Sequence, residues 1–132
     1  MTTPTFRILM VEDDSTIAHL IAIAMQMLDV PYRLDQAFSA EEGLDLWRAQ
    51  PYDLLLTDYN LRGMNGLALI ETLKQQGASV PMVLFTAYDT PRLRKEAEQV
   101  GVSAFIPKPF FLDEFVSTAR AFLPLNSSEM GS

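Results

Sequence analysis

Short apolar runs and segments with helical spacing alternate five times along this chain, and few architectures accommodate that alternation. Strand, helix and strand in succession predict a parallel sheet with helices on both faces. The central run, Tyr52-Asp53-Leu54-Leu55-Leu56-Thr57-Asp58-Tyr59-Asn60, lies between the Gln50-Pro51 break and the Gly63-Met64-Asn65-Gly66 turn. A continuous apolar stretch of that length reads as a strand buried on both faces, at the middle of the sheet. It ends in Asp58, a carboxylate where a hydrophobic strand meets a loop, which is where open α/β sheets carry their reactive groups. Asp58 is therefore the candidate for chemistry.

The other elements follow in order. Phe6 to Val11 reads as the first strand, halted by Glu12-Asp13-Asp14-Ser15, where Asp14 or Ser15 caps a helix by accepting from its free N–H groups. Ile17, Leu20, Ile21, Ala24 and Leu28 recur at helical spacing and form its expected buried stripe. His19, Ile23 and Met27 form a second row, more apolar than a solvent face requires; it reads as ordinary packing or as a partner or dimer surface. Tyr32 to Phe38 fits a more polar edge strand, and Ser39-Ala40-Glu41-Glu42 matches a capping box ahead of a helix reaching about Ala49, with Leu44 and Trp47 inward.

Leu67, Ile70 and Leu73 mark a third helix that Gly77 terminates, and Val80 to Thr86 a fourth strand. Thr90-Pro91 caps a fourth helix that Gly101 stops; Arg92, Arg94 and Lys95 make its outer side basic. Val102 to Ile106 is a short fifth strand, and Phe115, Val116, Ala119 and Phe122 mark a last helix ended by Pro124. Residues 1–5 and 124–132 are polar and expected to be loose, the latter as a tail or linker stub.

Composition narrows the possible functions. A chain of 132 residues, 48% hydrophobic and 20% charged, has room for one core and one domain. The absence of cysteine excludes a disulfide scaffold, a thiolate metal site and a cysteine nucleophile, and the single His19 leaves no histidine cluster for zinc. A net charge of −7 has the wrong sign for tracking a phosphate backbone, so direct nucleic-acid binding by this domain is not expected. No apolar run approaches the roughly 20 residues that span a bilayer, and the expected location is the cytoplasm.

In a parallel sheet the carboxyl ends of the strands form one rim, and the residues found there are unusual. Strand one ends in Glu12-Asp13, strand three in Asp58 and strand four in Thr86, while strand five leads into Lys108. Helix capping accounts for Asp14, Ser39 and Thr90. It does not account for three carboxylates together, because like charges repel unless a cation joins them. Mg²⁺, or Mn²⁺ in its place, suits such a hard oxygen set.

These residues carry a resemblance to a known family. Glu12-Asp13, Asp58, Gly63-Met64-Asn65-Gly66, Thr86-Ala87 and Lys108-Pro109-Phe110, each at a strand end and in this order, resemble the receiver domain of two-component response regulators from about Phe6 to Leu123. The resemblance implies a flavodoxin-like (βα)5 doubly wound sheet of strand order 2-1-3-4-5, with residues 6–123 as the receiver domain. It implies that Asp58 accepts a phosphoryl group from a sensor histidine kinase or a histidine phosphotransfer protein. Asp13 and Asp58 would hold the metal by side chains, Asn60 by its backbone carbonyl, and Glu12 through water. Lys108, the Thr86 hydroxyl and the Ala87 N–H would contact phosphoryl oxygens. Thr86 and Phe105 would form the switch, and an output protein or effector domain would read the face of helix four, strand five and helix five. The domain would have at most self-phosphorylating and self-dephosphorylating activity, and a homodimer is compatible with it.

Some positions depart from the family pattern, and other functions compete. Arg62 stands where the family commonly has proline, which predicts a less rigid turn, and Pro107 is unusual before a Lys108-Pro109 bond that is cis in the family. Tyr88 is expected to overhang the site and to slow hydrolysis of the phosphorylated form. His19 is expected at the surface with no part in phosphotransfer. The alternatives are a pseudo-receiver acting as a docking scaffold and a Mg²⁺-dependent phosphatase with an aspartyl nucleophile, for which Asn60 stands where a second acid is needed. Flavin binding is disfavoured by the acidic loop after strand one, which repels phosphate.

Overall fold

The computed structural model describes residues 5–124; the expectations for residues 1–4 and 125–132 fall outside them. The elements are β1 (Phe6–Val11), α1 (Ser15–Ala24) with a 3-10 turn at Met25–Met27, β2 (Tyr32–Ala37), α2 (Ala40–Ala49), β3 (Leu54–Asp58), α3 (Gly66–Gln75), β4 (Met82–Thr86), α4 (Pro91–Val100), β5 (Ala104–Pro107) and α5 (Leu112–Phe122). All pairings are parallel and the order is β2-β1-β3-β4-β5, as expected, with the apolar β3 in the middle.

Side-chain alternation divides the core in two. Ile8, Met10, Leu54, Leu56, Val83 and Phe85 project to one face, where Ala18, Ile21, Phe115 and Ala119 of α1 and α5 cover them. Leu9, Val11, Leu55, Met82 and Leu84 project to the other, beneath Leu44 of α2, Leu69 and Ile70 of α3, and Leu93 and Ala97 of α4. Burial on both faces is why the three inner strands read as continuous apolar runs.

The element ends differ from the sequence reading by a few residues, each with a visible cause. β3 starts at Leu54, not Tyr52, because the Asp53 carboxylate accepts the Arg7 N–H at 2.8 Å in place of a backbone carbonyl. Tyr52 instead tucks its hydroxyl onto Asp35 at 2.6 Å. β5 runs from Ala104 to Pro107, because the Val102 N–H is taken by the Ala97 carbonyl in the C-terminal cap of α4, where Gly101 sits at φ 90°. Its far end persists because the Lys108 N–H donates to the Thr86 carbonyl at 2.7 Å. β2 ends at Ala37 because Phe38 donates its N–H to the Glu42 carboxylate. The capping box is therefore shifted: Ser39 accepts from the Glu42 N–H as expected, but Glu42 reaches the amide of Phe38, not that of Ser39.

The stripe read for α1 needs one correction. Ala18, Ile21, Ala24 and Met25 meet the sheet, whereas Leu20 is 47% exposed. Ala18 and Ala24 join the core with Ile8, Met10, Leu54 and Leu56, whereas Leu20 borders the groove beside Lys108, Phe110 and Leu112. Ile23 and Met27 are 49% and 61% exposed, so the second row is a solvent-facing apolar strip, not packing. His19 is exposed, as expected. No helix among the described residues is long and apolar enough to cross a membrane.

Candidate functional site

The strand register brings the polar residues to one rim. Val11 pairs with Thr57, so Glu12 follows beside Asp58; Asp58 pairs with Phe85, and Thr86 with Pro107 immediately before Lys108. The parallel ladder therefore converts four distant sequence positions into one pocket.

Lys108 sits between the carboxylates. Its ammonium is 3.2 Å from Asp58 Oδ2 and 3.4 Å from Glu12 Oε1, and it lies 5.4 Å from the centroid of the Phe85 ring. Asp58 is buried; its Oδ1 accepts from the Asn60 N–H at 3.2 Å. Asp13 is half-buried and accepts from the Arg62 N–H at 3.2 Å. Proline at that position would have no such donor. One oxygen from each of Glu12, Asp13 and Asp58 lies within 4.8 Å of the others, a donor set of hard oxygens that fits a hard divalent cation.

Glu12 is 1% exposed, and its carboxyl is pushed up to about 7. Burial is the largest cause and the charge of Asp58 the next; the Asp14 N–H and the Lys108 ammonium pull the other way. At neutral pH this group divides between its acid and its anion.

Backbone geometry fixes the loops around the rim. Asp14 is the helix cap and accepts from Thr16 and Ile17, with Ser15 as the first helical residue. Gly66 opens α3 against the β3 end: a Cβ there would lie 2.0 Å from the Asp58 carbonyl oxygen. The Lys108–Pro109 bond is cis, as the resemblance implied. Thr86 is fully buried, and its hydroxyl oxygen accepts the Tyr88 N–H at 2.9 Å. Ala87 is exposed and borders an apolar groove of about 440 Å³ whose wall includes Leu20, Ile21, Lys108, Phe110 and Leu112. Tyr88 is exposed and lines a separate groove with Tyr59, Arg92 and Glu96, on the α4 side of the rim.

Phe105 stands apart from the acidic pocket. It pairs with Leu84, two residues before Thr86 in the next strand, and packs half-buried beside the core under α4. The Arg94 guanidinium lies 4.5 Å from its ring centroid. Glu12, Asp13, Asp58 and Lys108 are thus gathered, with Asn60 joined through its amide, while Thr86, Ala87 and Phe105 occupy the adjoining edge. The sequence reading did not find Phe85 beneath the ammonium, the Arg62 amide on Asp13, or Arg94 over Phe105. Nothing in local spacing marks the first two; the basic run on α4 was the only signal for the third.

Known proteins resemble this chain in sequence and in fold. The profile of the family described as the response regulator receiver domain matches residues 8–120. The transcriptional regulatory protein TctD of Salmonella typhimurium is 29% identical over 124 residues, covering 94% of this chain and 54% of that protein. The transcriptional regulatory protein DltR of Streptococcus agalactiae is 32% identical over 114 residues, 86% of this chain and 50% of the relative. The chain thus spans about half the length of the curated relatives it matches. Among solved structures, the non-phosphorylated HemR receiver domain of Leptospira biflexa superposes with a TM-score of 0.82 at 30% identity, covering 92% of this chain and 96% of that one. A CheY-like receiver domain protein of Methanospirillum hungatei, at 23% identity and a TM-score of 0.83 over 98% of this chain and 100% of its own, shares the fold.

Proposed function

The chain belongs to the response regulator receiver domain family, and from that premise we propose that it takes a phosphoryl group onto Asp58 from a phosphohistidine on a sensor histidine kinase or histidine phosphotransfer protein. An Asp58 carboxylate oxygen attacks phosphorus, the phosphorus–nitrogen bond breaks, and its electron pair stays on the departing imidazole. A carboxylate is a modest nucleophile, so positioning and charge carry the rate. The observation that supports this best is the Lys108 ammonium, 3.2 Å from Asp58 and 3.4 Å from Glu12 in a buried acidic pocket.

Each group around the carboxylate has a role in this reading. The Asn60 N–H holds Asp58 Oδ1 and so presents the other oxygen. Lys108 passes from Asp58 Oδ2 to a phosphoryl oxygen as the new bond forms, with no proton exchanged. The Thr86 hydroxyl and the Ala87 N–H donate to the remaining oxygens. Asp13 and Asp58 would hold Mg²⁺, or Mn²⁺, by their side chains, Asn60 by its carbonyl, and Glu12 through water. Held there, such an ion would supply positive charge to offset the charge gathering on the transferred group.

Output follows from the same change. The Thr86 hydroxyl leaves the Tyr88 N–H for the phosphoryl group, Phe105 moves, and a partner protein or attached effector reads the face of α4, β5 and α5. The domain itself makes no direct nucleic-acid contact, acts in the cytoplasm, and catalyses at most its own phosphorylation and dephosphorylation. Incubating wild type and Asp58→Asn with a small phosphodonor and Mg²⁺, then measuring intact mass, tests the assignment. One phosphate on the wild type alone is expected; none on either, or equal addition to both, overturns it.

A further inference from the structure

We propose that Arg94 is a positioning residue for the switch: its guanidinium holds the Phe105 ring in the place it takes before phosphoryl transfer and ties that ring to the loop between β4 and α4 through Asp89. This rests on the phosphoacceptor reading above and names a control on the same site.

Three contacts place Arg94 between the two moving parts. Its guanidinium lies 4.5 Å from the Phe105 ring centroid, within cation–π range. Its Nη2 donates to Asp89 Oδ2 at 3.2 Å and its Nε to Asp89 Oδ1, a two-point grip on a single carboxylate. Asp89 lies three residues beyond Thr86, in the loop whose Tyr88 N–H donates to the Thr86 hydroxyl. A displacement of Thr86 therefore moves the carboxylate that orients the guanidinium, and the guanidinium covers the ring.

Phe105 needs such a device. A phenyl ring has no oxygen to anchor, and β5 is an edge strand whose four residues are all only half-buried. Packing from one side leaves the ring's outer face to whatever lies over it, and here that is Arg94. Arg92, two residues away, does something different: it pairs with Glu96 within α4 at 3.2 Å. The ammonium of Lys108 paired with Asp58, and the Thr86 hydroxyl with Tyr88, identify the observed arrangement as the one that precedes transfer. A contact that stabilises this arrangement lowers the population of the other and weakens binding of any phosphoryl mimic by the same factor.

The test uses protein labelled with 3-fluorophenylalanine, the residue-105 resonance being assigned by its loss in Phe105→Leu. Beryllofluoride with Mg²⁺ is titrated into wild type, Arg94→Met and Arg92→Met, with Asp58→Asn as the control for the phosphoacceptor site. The expected result for Arg94→Met is a residue-105 resonance displaced towards its liganded position before any beryllofluoride is added, and a titration midpoint about two- to fivefold lower, the ratio an exposed cation–π contact supports. Arg92→Met loses the same charge and should match wild type, and Asp89→Asn should move with Arg94→Met. An unmoved resonance, an unmoved midpoint, or equal effects from Arg92→Met and Arg94→Met overturns the role of Arg94 and leaves the phosphoacceptor reading intact. Wild type and Asp58→Asn responding alike overturns both.

Discussion

Gly66 shows how closely the backbone governs the Asp58 end of β3. The first residue of α3 lies so near the end of β3 that a methyl group would stand 2.0 Å from the Asp58 carbonyl oxygen, well inside contact distance. No side-chain rotation relieves a clash with backbone, so either the helix or the strand end must shift. Gly66→Ala should lose about 2 kcal/mol or more in denaturant unfolding and should accept phosphate poorly, since Asp58 would move; a variant as stable and as reactive as wild type would refute this account. At Tyr88 the exposed ring lies on the α4 side of the rim, and its backbone N–H donates to Thr86. If the ring obstructs the attacking water, Tyr88→Ala should lose its phosphoryl group faster than wild type in a decay measurement. Equal decay would show that the ring stays clear of the water's path.

At the scale of elements, α4 owes its position to its two ends. Thr90 accepts the Leu93 N–H at 3.1 Å, Pro91 fills the first helical position, and Gly101 turns the chain at φ 90°. The helix buries only Leu93 and Ala97, so caps weigh more here than in α3, which buries Gly66, Leu67, Leu69, Ile70 and Leu73. Thr90→Ala should destabilise the protein by about 1 kcal/mol, with amide hydrogen exchange rising more in the first turn of α4 than in the other helices and the sheet; exchange that rises uniformly would argue against a local effect. These caps were legible because their signals are local: a hydroxyl before proline and a glycine ten residues on. α1 was less legible. Its stripe of Ile17, Leu20 and Ile21 has correct helical spacing, yet spacing does not say which positions the neighbouring elements cover, and Leu20 is left exposed on the wall of the groove next to Lys108.

For the whole molecule, the acidic pocket couples stability to pH. The folded chain holds a proton on Glu12 up to about 7, whereas an unfolded carboxyl releases it near 4.5. Between those values the folded state binds more protons, so the contribution of Glu12 is fully present below the lower value and is lost as pH rises through the upper one. Metal-free protein should therefore show a term in its melting temperature that falls between about pH 4.5 and about pH 7 and levels off above, and Glu12→Gln should flatten it. Mg²⁺ favours ionised carboxylates, so the rise in melting temperature that it produces should be larger at about pH 8 than at about pH 6. Identical Mg²⁺ shifts at both values, or an unchanged profile in Glu12→Gln, would show that this carboxyl does not govern the pocket.

The alternation of apolar runs with helical spacing was enough to specify a parallel sheet with β3 at its centre, and the polar residue ending each run marked the rim. Both are properties of neighbours in the chain, since burial on two faces and helix periodicity are written over a few residues at a time. The pocket itself depends on contacts across 96 residues from Glu12 to Lys108 and 50 from Asp58 to Lys108. Tertiary packing alone decided that Glu12 loses its water, that Phe85 lies under the ammonium, that Arg62 gives Asp13 an amide, and that one of three basic groups on α4 covers Phe105. Each is set by the distance between separate elements, and that distance exists only once the layers have closed on the sheet.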